Sequence, residues 1–235
     1  MNMNFINLVY NFYPMNIKVC GMREPDNIQS ILALKPAWIG FIRYPKSKRY
    51  AGEGTSQWVK LHPKLFQQTH KIGVYVHAQI RDIIKDVSTF GFQGIQLHGN
   101  ESISYGMKLQ KALLDAGLQE VYLLRAFGID AGFDFRTTEE WTPLARYFIF
   151  DTKTEKYGGS GKKFNWNCLE SYQGNLPFLL SGGIGLEDVR DIHNIAHPRM
   201  AGVDINSRFE STPGRKDTAK LETFFKTIRN LHPDT

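Results

Sequence analysis

The chain has 235 residues, of which 42% are hydrophobic and 22% charged, with a formal net charge of +6. That size suits one large domain or two small ones, and the apolar content excludes a chain that stays disordered for want of a core. There is no Gly-X-Y or heptad period, two cysteines cannot build a disulfide framework, and a basic surface suits small anions as well as nucleic acid.

Residues 1–14 are apolar but contain no Lys or Arg, the first basic side chain being Lys18. A secretory signal needs a basic start and a small-residue cleavage site, so this stretch reads as an extension of unknown role. No run reaches the roughly eighteen apolar residues needed to span a bilayer. A cytoplasmic protein that binds no membrane is the expectation.

From Asn16 onward, short apolar runs recur about every 25 to 30 residues, as buried parallel strands do. They are Ile17–Cys20, Trp38–Ile42, Ile72–Val76, Gly94–Leu97, Val121–Ala126, Tyr147–Phe150, Phe178–Ser181 and Ala201–Ile205. Helical patterns lie between them. Ile28–Leu34 follows Glu24-Pro25-Asp26, with Asp26 the expected N-cap. Gln79–Phe90, Ser102–Ala116, Leu186–Ile195 and a last helix from about Thr218 to Leu231 come next, while Gly128–Pro143 reads as a weak helix. Eight strands alternating with about eight helices predict an α/β protein, a single-domain (β/α)8 TIM barrel over residues 15–235. A doubly wound sheet fits less well, because unusual residues follow nearly every strand instead of clustering at one switch point.

In a barrel those strand ends converge on one face. Cys20 ends the first strand there, where a thiolate can act as nucleophile or base; a buried, inert cysteine is the alternative. Lys18, two residues earlier, points the same way and wants a carboxylate, from Asp151 or Asp204. Asp151 follows the apolar run Tyr147–Phe150, a setting that raises a carboxyl towards the range of an acid catalyst. The pair Ser181-Gly182-Gly183-Ile184 and Asp204-Ile205-Asn206-Ser207, after the seventh and eighth strands, predicts a phosphate cradle made of backbone amides. Pro45-Lys46-Ser47-Lys48-Arg49-Tyr50 carries three cations, among which the planar fork of Arg49 suits a substrate carboxylate. The run is too isolated for a nucleic-acid patch, so no nucleic-acid partner is expected.

Gly158-Gly159-Ser160-Gly161-Lys162-Lys163 lacks the spacing of a phosphate-binding P-loop and reads as a plain turn or a mobile active-site loop. His193 and His197 have no acidic residue between them that fits a zinc helix, so no metal is expected.

Taken together, Lys18-Val19-Cys20-Gly21, Pro45–Tyr50, Gly73-Val74-Tyr75-Val76, Gln96-Leu97-His98-Gly99, Asp151-Thr152-Lys153 with Gly158–Gly161, Leu180–Ile184 and Pro213-Gly214-x-Lys216-Asp217 resemble the phosphoribosylanthranilate isomerase family. They stand in that family's order and spacing over nearly the whole chain from Met15. The resemblance implies an Amadori rearrangement in tryptophan biosynthesis, with no cofactor. N-(5'-phosphoribosyl)anthranilate would become 1-(2-carboxyphenylamino)-1-deoxyribulose 5-phosphate. It makes Cys20 the general base and Asp151 the general acid. Arg49, His98, Gly159 and Asp204 become substrate contacts, and Ser181, Gly182, Gly183, Asn206 and Ser207 phosphate contacts. The only partner implied is the phosphoribosyl substrate, for a monomer or a homodimer. One departure stands out: Arg208 replaces a small residue in the stretch after Asp204. A related histidine-pathway isomerase is disfavoured, because Cys20 stands where that family places an Asp. A catalytically dead barrel would be expected to have lost Cys20 or Asp151.

Overall fold

In the computed structural model, residues 15–153 and 163–231 are described. The expectations for residues 1–14 and for the glycine-rich stretch containing Gly159 lie outside them. Eight parallel strands close into a barrel in sequence order, the eighth pairing with the first. They are β1 (Asn16–Cys20), β2 (Trp38–Ile42), β3 (His70–Tyr75), β4 (Gly94–Leu97), β5 (Tyr122–Ile129), β6 (Ala145–Thr152), β7 (Phe178–Ser181) and β8 (Met200–Ile205).

Alternation along each strand sorts side chains into two cores. Ile17, Val19, Ile39, Phe41, Phe148, Phe150 and Leu180 face outward and pack under the helices. Cys20, Trp38, Ile72, Val74, Leu124, Ala126, Ile149 and Leu179 face the barrel axis. Gly40 on β2 is demanded by that interior: a Cβ there would stand 2.8 Å from Cys20 Sγ and 3.2 Å from Lys18 Nζ.

The helices are α1 (Pro25–Leu32), α2 (Glu53–Leu61), α3 (Ile80–Phe90), α4 (Ile103–Asp115), α5 (Val189–His193) and α6 (Thr218–Leu231). Four local expectations are corrected. Glu24, not Asp26, occupies the N-cap of α1; Pro25 starts the helix, and Asp26 falls in its first turn and pairs with Arg215. Six α-helices replace the expected eight among the described residues. Phe135–Trp141 and Trp166–Ser171 form 3₁₀ turns where the fifth and sixth connections pack Phe135, Trp141 and Leu169 into the outer core. The helix expected over Leu186–Ile195 divides into a 3₁₀ turn at Leu186–Asp188 and the short α5, with Asp188 accepting from the Gly185 amide. After β8 the chain makes a 3₁₀ turn and a small antiparallel ribbon, Glu210–Thr212 with Arg215–Lys216 (β9 and β10), which lays Glu210 and Lys216 beside the mouth.

Candidate active site

One cleft at the C-terminal ends of the strands is lined by Cys20, Ile42, Gln96, His98, Asp151, Ser181, Gly182, Gly183, Asp204, Asn206, Ser207 and Arg208, among others. These residues lie up to 188 positions apart along the chain, and barrel closure alone brings them together.

Cys20 closes β1 with its thiol facing the axis and is buried. Lys18, two residues back and fully buried, donates from Nζ to Asp204 Oδ1 at 2.9 Å. Parallel pairing dictates the choice of Asp204 over Asp151, since Lys18 and Asp204 are register partners on neighbouring strands. Burial works against the Lys18 ammonium, but Asp204 and Cys20 outweigh it and hold its pKa above the ordinary value. Burial also raises the Cys20 thiol; Lys18 pulls it down, Asp204 pushes it up, and Lys216 pulls it down again. A lone buried thiol would be a poor base. This one sits beside an ammonium that favours its thiolate.

Asp151 stands at the open end of β6 and is half-buried, its Oδ2 3.5 Å from His98 Nε2. Oδ1 accepts from the Thr152 amide at 2.8 Å. Burial raises the carboxyl above its ordinary value; His98 works the other way, and the charge of Asp204 adds to the rise.

The turn after β7 approaches Asp151 closely. Gly182 and Gly183 have φ of +93° and +66°, a region that favours glycine. A Cβ on Gly182 would fall 2.3 Å from Thr152 Oγ1 and 2.7 Å from Asp151 Oδ1. No backbone hydrogen bond closes on the amides of these two glycines among the described residues. Without Cβ atoms the turn lets a ligand approach its amides closely, an arrangement that suits an anion.

Arg49 lies at the rim, with its guanidinium clamped by Glu210: Nε donates to Oε1 at 2.8 Å and Nη2 to Oε2 at 2.7 Å. Lys216 Nζ reaches the same carboxylate and Asn206 Oδ1, both at 2.7 Å. Burial would raise the Glu210 carboxyl, but Arg49 and Lys216 reverse the effect and lower it. Gly21 leaves room for this cluster, since a Cβ there would meet Asn206 Oδ1 at 2.7 Å and Arg49 Cδ at 2.9 Å. Arg208, the departure from the family pattern, lines the cleft and pairs with Glu187. Among the described residues no cluster of three or more His, Cys, Asp or Glu side chains could hold a metal.

Sequence reasoning named Cys20, Arg49, His98, Asp151, Ser181, Gly182, Gly183, Asp204, Asn206 and Ser207, and the barrel brings all of them to this one end. It assigned no role to Gln96, Glu101, Arg125 or Glu210. Gln96 carried a signal, because the alternation that points His98 inward points Gln96 inward too.

The sequence matches the profile of N-(5'-phosphoribosyl)anthranilate (PRA) isomerase over residues 17–227. It is 45% identical over 224 residues to the N-(5'-phosphoribosyl)anthranilate isomerase of Parabacteroides distasonis, covering 93% of this chain and 95% of that protein. The crystal structure of phosphoribosyl anthranilate isomerase from Thermotoga maritima superposes with a TM-score of 0.77 at 27% identity, over 92% of this chain and 99% of that one. A phosphoribosyl anthranilate isomerase in complex with reduced 1-(o-carboxyphenylamino)-1-deoxyribulose 5-phosphate shares the fold, with a TM-score of 0.76 at 24% identity over 92% and 99% of the two chains. The chain belongs to the phosphoribosylanthranilate isomerase family of TIM-barrel enzymes.

Proposed function

We propose that this chain isomerises N-(5'-phosphoribosyl)anthranilate with Cys20 as general base and Asp151 as general acid. The carrying observation is that a thiol beside an ammonium and a carboxyl of raised pKa line one cleft with the amides of Gly182 and Gly183, on which no backbone hydrogen bond closes among the described residues. Asp151 gives its proton to the ribose ring oxygen as the C1–O bond breaks and the nitrogen lone pair forms an iminium. The Cys20 thiolate then takes the proton from C2, the C2–H electrons move into the C1–C2 bond, and the iminium becomes a neutral enolamine. Loss of the enol proton and protonation at C1 give the ketone, so the reaction neither gains nor loses atoms.

The two substrate anions find separate partners. The phosphate sits on the Ser181-Gly182-Gly183 turn and on Asn206 and Ser207, with Arg208 adding a cation at the rim. The anthranilate carboxylate meets Arg49, whose Nη1 has no hydrogen-bond partner among the described residues. His98 and Asp204 border the ribose. Two free cysteines, Cys20 and Cys168, suit a reducing cytoplasm; among the described residues no helix is long and apolar enough to cross a membrane. Light scattering on purified protein distinguishes a monomer from a homodimer.

The test is loss of the substrate's anthranilate fluorescence on adding purified enzyme, together with rescue of a tryptophan auxotroph that lacks this isomerase. Failure of both would remove the activity from this chain.

A further inference from the structure

Gln96 is an inward-facing amide on β4, 1% exposed, and it lines the cleft. Its Nε2 lies 2.9 Å from His98 Nδ1, while its Oε1 has no hydrogen-bond partner among the described residues. An amide NH₂ only donates, so the ring nitrogen facing it must accept. The single proton of the neutral ring then sits on Nε2, which faces Asp151 Oδ2 at 3.5 Å. Turning the amide over would set its oxygen against Nδ1, draw the proton there, and aim the Nε2 lone pair at the Asp151 carboxylate.

The backbone of His98 leaves little other freedom. Its amide donates to Tyr75 O at 2.9 Å, and Arg125 Nη1 grips the carbonyls on both sides, Leu97 O at 3.3 Å and Gly99 O at 2.9 Å. Buried Glu101 locks the same turn, accepting from the His77 amide at 2.8 Å, the Gly99 amide at 3.0 Å and Arg125 Nη1 at 3.1 Å. With the main chain held this way, the tautomer is what remains to be decided, and Gln96 is the side chain bonded to the deciding nitrogen.

We propose that Gln96 is a positioning residue for the acid–base chemistry, holding His98 as the Nε2–H tautomer so that the ring donates to Asp151. That bond fixes the plane of the carboxyl and receives the carboxylate that remains once the proton has gone to the ring oxygen. The orphaned Gln96 oxygen is the cost of this orientation. The charged and titratable groups around the pair are Asp204 on β8 and Lys18 and Cys20 on β1, with Ser181 on β7 bonding to Asp151. The inference rests on Asp151 being the acid.

Nitrogen-15 NMR of His98 in the wild-type protein reads the tautomer directly and should show the proton on Nε2. Gln96→Glu presents an acceptor to Nδ1 and Gln96→Met presents neither donor nor acceptor. Both should lower kcat at least about tenfold, with KM within about threefold. The limb of the kcat–pH profile that disappears in Asp151→Asn should move in both variants, while the rate of Cys20 alkylation should not. A proton on Nδ1 in the wild type, or a kcat within twofold in folded Gln96→Met, would overturn the proposal. Should Gln96→Glu fail to fold, Gln96→Met and the wild-type tautomer decide alone. Asp151→Asn run in parallel separates the two readings. If it retains turnover, the acid assignment fails; if it is inactive while the Gln96 variants are not, only the role of Gln96 fails.

Discussion

The same eight strands end in two unlike layers. At the floor of the barrel, Trp38 Nε1 donates to the Tyr122 hydroxyl at 3.0 Å, His70 Nδ1 meets that hydroxyl at 2.9 Å, and Tyr147 packs edge-on against Trp38 at 5.4 Å. Burial pushes the Tyr122 phenol up to about 12, so it serves there as a neutral hydrogen-bonding group. At the mouth, Cys20, Asp151 and Lys18 have raised pKa values beside the carboxyl of Asp204, and the Gly182 and Gly183 amides and Gln96 Oε1 are left without partners among the described residues. The floor is internally satisfied and so contributes stability. The mouth keeps open valences and so can bind and react, the division expected of such barrels.

The largest effect separating the layers should come from the proton-transfer pair. Cys20→Ser and Asp151→Asn should each lower kcat by about 10²- to 10⁴-fold, or roughly 3 to 5 kcal/mol of barrier, because general acid and base groups act in the transition state. Their melting temperatures should stay near that of the wild type. Near-full turnover in Cys20→Ser would make the cysteine a packing residue. The converse variant is Trp38→Ala at the floor. Loss of a buried indole should cost about 3 to 5 kcal/mol of folding stability, read as a lower denaturation midpoint, while KM stays the same. A changed KM with unchanged stability would erase the distinction between the layers.

A third variant sharpens the electrostatics of the mouth. Lys18 lowers the Cys20 pKa against the burial that raises it, so Lys18→Met should raise the pKa further. Less thiolate then exists at pH 7, and alkylation by iodoacetamide should slow there and recover only at higher pH. The unpaired Asp204 left behind acts in the same direction. An unchanged alkylation profile would show that Lys18 serves only to neutralise Asp204.

Smaller effects belong to the rim. Arg49→Lys should raise KM about tenfold with kcat little changed, because an ammonium cannot reproduce the two-pronged geometry of guanidinium. Arg208→Ser removes an exposed pair with Glu187, worth at most about 1 kcal/mol. Stability should hardly move, and any rise in KM reports its contribution to the phosphate.

Local physics made much of this legible. Trp38–Ile42, Gly94–Leu97 and Phe178–Ser181 fall where the apolar runs predict, since a strand buried on both faces has no polar position to blur its ends. Thr218–Leu231 coincides with its predicted helix for a similar reason, burying Leu221, Phe224, Phe225 and Ile228 along one face. The helix Glu53–Leu61 went unnoticed because Gly54 and neighbouring polar residues hide its period. The fifth connection became a 3₁₀ turn because the packing of Phe135 and Trp141 outweighed a weak helical preference.

The sequence alone determined which chemical groups the mouth would hold, because a thiol, a carboxyl or a paired glycine is a covalent fact, and period-2 alternation decides which way each faces. Tertiary structure decided who meets whom. Lys18 chose Asp204 across 186 residues and Arg49 was clamped by Glu210 across 161. Strand register and closure set those pairings, and they in turn set the pKa directions at the mouth. No local pattern encodes them, because an electrostatic shift depends on distance through space and on burial, and both arise only when the first strand closes against the eighth.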